Sequence, residues 1–237
     1  MIPGPRPWSA WPVPDYDLLV FDWDGTLADS IARIVDAMQH GARAMGLAPR
    51  DATQVKGIIG LGLPEAIQAL YPLLDEASIP LFREHYAERY IALEATPSPL
   101  FEGVAEGLVA FRRAGYRLAV ATGKARRGLD RVLKGHDLAD FFDITRAADE
   151  TRSKPDPLML EQILTHCGVR PQRALMIGDS AFDLQMARNV GMPCVAVGYG
   201  AMELSALMAY EPVLAIEHFS QLTVWLQPGG PLSAKGE

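Results

Sequence analysis

Leu18-Leu19-Val20-Phe21-Asp22-Trp23-Asp24-Gly25-Thr26 carries the pattern from which the architecture follows. Its first four residues form an unbroken apolar run, the pattern of a parallel strand buried on both faces. Two carboxylates then stand one residue apart at the C-terminal mouth of that strand. In open α/β sheets this is the edge where ligands bind. Neighbouring like charges push pKa values apart, so such a pair can divide into a nucleophile and a proton shuttle. Asp-x-Asp-Gly is also good turn chemistry, and alone it leaves open an acidic turn that caps the next helix.

Residues 117–121, 174–177 and 194–197 repeat the buried-strand pattern, and 213–216 do so more weakly. Helical patterns at 104–113, 127–133, 157–167, 184–189 and 219–226 lie between and after them. Strand alternating with helix predicts a parallel sheet covered on both faces. From about 30 to 95 the alternation stops, and helical segments at 31–45, 64–70 and 76–93 follow one another. Asp29 or Ser30 would cap the first of these. Thr96-Pro97-Ser98-Pro99 reads as a stiff linker back to the sheet. The expected organisation is a discontinuous α/β core, 15–28 and 97–228, with an inserted α-helical cap at 29–96. Its hinges fall near 27–28 and 96–99. Residues 1–14, rich in proline, and 229–237 read as extended or disordered tails.

The 237 residues carry a net charge of −7, with 49% hydrophobic and 22% charged residues. That balance fits an ordinary globular protein and argues against nucleic-acid binding, which calls for a basic face. An anionic substrate must then be drawn in by local cations or a metal. No apolar run approaches the length of a membrane span, and the proline-rich start lacks the layout of a signal peptide. Cys167 and Cys194 lie in apolar stretches without metal or redox spacing, as buried free thiols in a reducing cytoplasm would. Oligomeric state is not legible.

Three further loops fall at the same predicted sheet edge: Thr122-Gly123-Lys124, Ser153-Lys154-Pro155-Asp156-Pro157, and Gly178-Asp179-Ser180-Ala181-Phe182-Asp183. Each is weak alone, but the ordered set is specific. With it the chain resembles the haloacid dehalogenase superfamily of hydrolases, in its phosphatase branch. Asp29-Ser30 and Lys154-Pro155-Asp156-Pro157 look like the phosphoglycolate-phosphatase-like group. The resemblance spans roughly residues 17–226 and implies a Rossmann-like core with a helical cap.

It also implies roles. Asp22 would be the nucleophile that becomes an aspartyl-phosphate, and Asp24 the acid/base, helped by its like-charged neighbour to keep a proton available. Thr122 would donate to a phosphoryl oxygen, and Lys154 would bridge phosphate and Asp22. Backbone amides of Trp23, Asp24 and Gly123 would complete the cradle. All candidate ligands are oxygen, which favours Mg²⁺. The resemblance gives the metal to Asp22, the Asp24 carbonyl and Asp179, with Asp183 holding metal-bound water. A plain helix-capping role for Asp183 stays open, and Asp156 reads as a cap before Pro157.

In the insert, Gly60 and Gly62 would belong to a substrate-selecting loop. Contacts from Lys56, Lys124, Arg126 and Arg127 to substrate are open. The implied activity is hydrolysis of a small phosphorylated metabolite, phosphoglycolate-like. The rivals are a phosphosugar mutase, a pyrophosphatase or nucleotidase, and a non-catalytic phosphate-binding relative.

Overall fold

A computed structural model describes residues 16–226, so both expected tails lie outside the described residues. Six parallel strands form one sheet: β1 (Leu18–Phe21), β2 (Arg117–Thr122), β3 (Ile144–Ala147), β4 (Ala174–Gly178), β5 (Cys194–Val197) and β6 (Leu214–Ile216). Their order across the sheet is β3-β2-β1-β4-β5-β6. This is the doubly wound order, and its direction of winding reverses beside β1, where the crevice for a ligand opens. Phe21 pairs in register with Val120 on one side and Ile177 on the other. The residues following those three strands therefore converge at one edge.

The strands alternate between two cores. Leu19, Phe21, Leu118, Val120 and Ile177 join one apolar cluster. Leu18, Val20, Ala119, Ala121 and Met176 join the other. Helices α5 (Val104–Arg113), α6 (Arg126–Gly135) and α10 (Phe219–Leu226) cover the first face, through Leu108, Leu129 and Phe219 among others. Helices α7 (Leu158–Cys167) and α8 (Ala181–Asn189) cover the second, through Ile163 and Leu184. Both cysteines are buried and unpaired, as their apolar surroundings required.

β3 escapes sequence reading because it is an edge strand. Thr145 and Arg146 are only partly buried, so Ile144-Thr-Arg-Ala147 shows no apolar run. The expected helix 184–189 begins three residues earlier. Ser180 caps it and Asp183 completes a capping box, which brings Asp183 into the first helical turn.

Between β1 and α5 come α1 (Ile31–Ala44), α2 (Ala52–Lys56), α3 (Leu63–Leu70) and α4 (Ile79–Leu93). Their apolar residues, among them Ile34, Met38, Val55, Ile67 and Phe82, form a cluster of their own. α1 packs along α4. The expected single helix 76–93 is divided, with a 3-10 turn at Glu76–Ser78 before α4. Pro80 then occupies the first turn of α4, where its missing N–H is harmless. The two connections to the sheet run side by side. Asp29 N–H donates to Pro99 O at 2.9 Å, and Phe101 N–H to Leu27 O at 3.0 Å.

Candidate active site

Asp22 follows β1 directly, and its backbone N–H donates to Ile177 O at 2.9 Å, which pins it to the end of β4. Its side chain is buried beneath the sheet edge. Lys154 reaches it from the loop before α7, with Nζ 2.6 Å from Asp22 Oδ1 and 2.5 Å from Asp183 Oδ1. The lysine side chain is wholly buried. Burial opposes its charge, but Asp183 and Asp22 outweigh that and hold the ammonium above the usual lysine range.

Asp179 follows β4. Its Oδ1 accepts from the Thr26 hydroxyl at 3.1 Å and its Oδ2 from Ala201 N–H at 2.6 Å. Burial first, and then the charge of Asp183, push its carboxyl up to about 7. Burial also raises Asp22 well above the ordinary carboxylate range. Lys154 opposes that rise, while Asp183, Asp179 and Asp24 add to it.

Oxygen atoms of Asp22, Asp179 and Asp183 lie within 4.8 Å of one another. Three buried carboxylates share one ammonium, which leaves negative charge without a partner. Asp22 Oδ2 is buried and accepts no hydrogen bond. A buried orphan oxygen in an all-oxygen cluster is the donor set of a hard divalent cation. The residues therefore fit a metal. Gly25 keeps this corner open: its φ of +84° suits the turn, and a Cβ there would run into Asp179 Oδ2.

Asp183 does two things at once. Its Oδ2 accepts from the Ser180 hydroxyl at 2.6 Å, which serves the helix cap, and its Oδ1 pairs with Lys154. The cap and the site share one carboxylate.

Asp24 has separate partners. Ser30 Oγ–H donates to its Oδ1 at 2.5 Å, and Lys124 Nζ lies 3.0 Å from the same oxygen. Ser30 occupies the N-cap position of α1 but spends its hydroxyl on Asp24 and caps nothing. Lys124 is largely buried and also donates to the Tyr90 hydroxyl at 3.0 Å. Burial works against its charge, but Asp24 and then the tyrosines hold it raised.

Thr122 closes β2, fully buried, and its Oγ1 accepts from Lys124 N–H at 3.2 Å. Trp23 sends its indole into the core, with its ring centroid 6.0 Å from that of His136, so its backbone is what borders the site. Gly123 and Gly60 meet across the gap between sheet and insert. A Cβ on Gly123 would lie 2.7 Å from Gly60 O and closer still to Leu61 O. Gly60 has φ +108°, and a Cβ there would reach Ser180 Oγ at 2.6 Å. Gly62 is the N-cap of α3 and donates to Ser153 Oγ at 2.8 Å.

Of the basic residues left open by sequence, Arg126 belongs to a structural network with Asp130, Glu150 and Thr145. Arg127 lines the cavity beside Asp22 and Asp24, whereas Lys56 is exposed and stands outside it. Asp156 accepts from Leu158 N–H at 3.0 Å, the expected capping role. Sequence reading did not single out Tyr90 or the tie of Ser30 to Asp24. No local signal marks Tyr90, because its partner Lys124 comes from another segment of the fold, and Ser30, six residues from Asp24, reads locally as a helix cap.

The family profile of haloacid dehalogenase-like hydrolases matches residues 19–197. A protein of Dickeya dadantii named "Probable phosphatase IndB" is 32% identical over 209 residues, covering 86% of this chain and 91% of that one. A phosphoglycolate phosphatase of Mesorhizobium japonicum is 33% identical over 218 residues, covering 88% and 94%. In fold, the chain is similar to a haloacid dehalogenase-like family hydrolase from Streptococcus pneumoniae. That match has a TM-score of 0.75 at 24% identity and covers 90% of this chain and 99% of that one.

Proposed function

The chain belongs to the haloacid dehalogenase-like hydrolases, and on that premise we propose that it is a Mg²⁺-dependent phosphatase working through an aspartyl-phosphate at Asp22. It is a phosphoric monoester hydrolase, and the names of its relatives point to the phosphate ester of a low-molecular-weight metabolite. Phosphoglycolate, the ester in the names of several relatives, comes first in a screen. The buried free thiols accord with a reducing cytoplasm.

The observation that carries this reading is the Asp22 carboxylate, bonded by Lys154 through one oxygen and orphaned at the other. Uncatalysed phosphate monoester hydrolysis is slow enough that enzymes accelerate it by up to ~10²¹-fold. Several groups must share that task. Asp22 attacks phosphorus, the ester P–O bond breaks, and Asp24 gives its proton to the leaving alkoxide. Asp24 then takes a proton from water, whose oxygen attacks the phosphorus. Inorganic phosphate leaves and Asp22 returns to its carboxylate. Lys154 fixes the Asp22 rotamer and offsets phosphoryl charge, and Thr122 and the backbone around Gly123 hold the phosphoryl oxygens.

Asp22, the Asp24 carbonyl and Asp179, with Asp183 behind them, would hold Mg²⁺, which lowers the repulsion between an anionic phosphate and Asp22. Residues 29–96 act as a cap over the 15–28 and 97–228 core, with Gly60 and Gly62 in the loop that meets substrate. Closure would exclude bulk water from the phosphoryl group.

The test is phosphate release from p-nitrophenyl phosphate and a panel of phosphate esters with Mg²⁺, repeated with EDTA and with Asp22→Asn. Activity is expected only in the Mg²⁺-supplied wild type. Comparable turnover by Asp22→Asn, or with EDTA, rules the mechanism out. Isomerised sugar phosphate with little phosphate released identifies a mutase instead.

A further inference from the structure

The space above Asp22 and Asp24 is a cavity of about 660 Å³, walled by the sheet edge below and the helical insert above. Binding pockets for drug-sized molecules run to roughly 300–1,000 Å³, and a two-carbon acid phosphate fills a small part of such a volume. The insert's walls are mainly apolar, with Ile58, Leu61, Leu63, Tyr86 and Ile91 facing the space. Ile91 is 46% exposed. Apolar surface left in water on a cavity wall favours an occupant that covers it.

The charges on the same walls do not select a small organic acid. Lys124 is engaged by Asp24 and Tyr90, and Arg131 by Glu94. Arg83 and Arg127 line the same cavity as Glu65, Glu84 and Asp149, so its wall carries no net positive charge to seize a second carboxylate.

We propose that the preferred substrate is the phosphate monoester of a bulky, largely apolar alcohol, whose organic half lies against Leu61, Tyr86 and Ile91. This rests on the phosphatase reading and specifies the half of the substrate that reading leaves open. The phosphate sits over Asp22, and the carbon skeleton extends toward α4.

The experiment measures kcat/KM of the full chain with Mg²⁺ on ethyl, butyl and hexyl phosphate, with phosphoglycolate and p-nitrophenyl phosphate alongside. Burying each added methylene is expected to raise kcat/KM about threefold to fourfold. Hexyl phosphate should exceed phosphoglycolate at least tenfold. Ile91→Asp should lower kcat/KM for hexyl phosphate at least fivefold more than for ethyl phosphate, and Leu61→Ser should reduce the chain-length gradient in the same sense. A flat or falling series, or preference for phosphoglycolate, overturns the proposal and leaves the phosphatase standing. Equal losses on both esters in the two variants also overturn it. Hydrolysis of none of the five esters overturns the phosphatase reading, and the proposal with it.

Discussion

Lys124 Nζ lies 3.0 Å from Asp24 Oδ1 while its ammonium also donates to the Tyr90 hydroxyl at 3.0 Å. One lysine from the loop after β2 thus ties an acid of the β1 loop to helix α4 of the insert. The ammonium also stands 4.7 Å from the Tyr90 ring centroid, a cation–π contact. The position of α4 and the setting of Asp24 are therefore linked through the Lys124 side chain, while Ser30 ties the same carboxylate to the start of α1.

Lys124→Met should lower kcat more than it raises KM, by about 10–100-fold, since a positioned acid/base contributes roughly 10²–10⁴-fold. Tyr90→Phe, which keeps the ring and removes the hydroxyl, should cost less than Lys124→Met. Steady-state kinetics on one ester decide this. An unchanged kcat in Lys124→Met would show that Asp24 needs no cation beside it.

Lys154→Met should destabilise the fold by about 3–5 kcal/mol, because it leaves Asp22 and Asp183 buried without their cation. The measurement is the urea midpoint at neutral pH without metal. Protonation of Asp22 would soften the loss, so the deficit should shrink as pH falls.

The buried acids also set a pH dependence. Asp179 has a folded-state pKa raised from 3.8 to about 7, so between those values the folded state binds more protons than the unfolded one. Stability of the metal-free protein should therefore fall as pH rises through that window. Mg²⁺ competes with those protons, so its stabilising effect should grow from pH 5 to pH 8. Thermal melts with Mg²⁺ and with EDTA at both pH values check the sign. A Tm of the EDTA-treated protein that climbs between pH 5 and 7 would contradict it.

Gly123→Ala should separate the insert loop from the sheet edge, because its Cβ meets the Gly60 and Leu61 carbonyl oxygens. Rigid backbone gives way poorly, so a stability loss of about 1–3 kcal/mol is expected, together with a lower kcat/KM. Gly128→Ala is the control. It lies in α6 with open space at its Cβ, and should be neutral or stabilising by up to about 1 kcal/mol. Denaturant midpoints of the two variants separate the effects.

Local pattern in the sequence places β1, β5, α5 and α10 to the residue, because apolar runs and helical periods there are set by burial on known faces. It also determined the order Asp22, Asp24, Thr122, Lys154, Asp179, Asp183, since loops that end parallel strands meet at one edge. Edge strand β3 and the short helices α2 (Ala52–Lys56) and α9 (Leu204–Leu207) lie below what local pattern reveals, as partial burial or brevity blurs the period. How those side chains divide is settled in three dimensions. Lys154 serves Asp22 and Asp183 together, and Lys124, open to either role in the sequence, is buried against Asp24. Ser30 turns from its helix to Asp24, and Tyr90 comes from a helix more than sixty residues along the chain. Such partnerships depend on distances in three dimensions: convergence of the loops at the sheet edge sets those around Lys154, and packing of the insert against that edge sets the one between Lys124 and Tyr90.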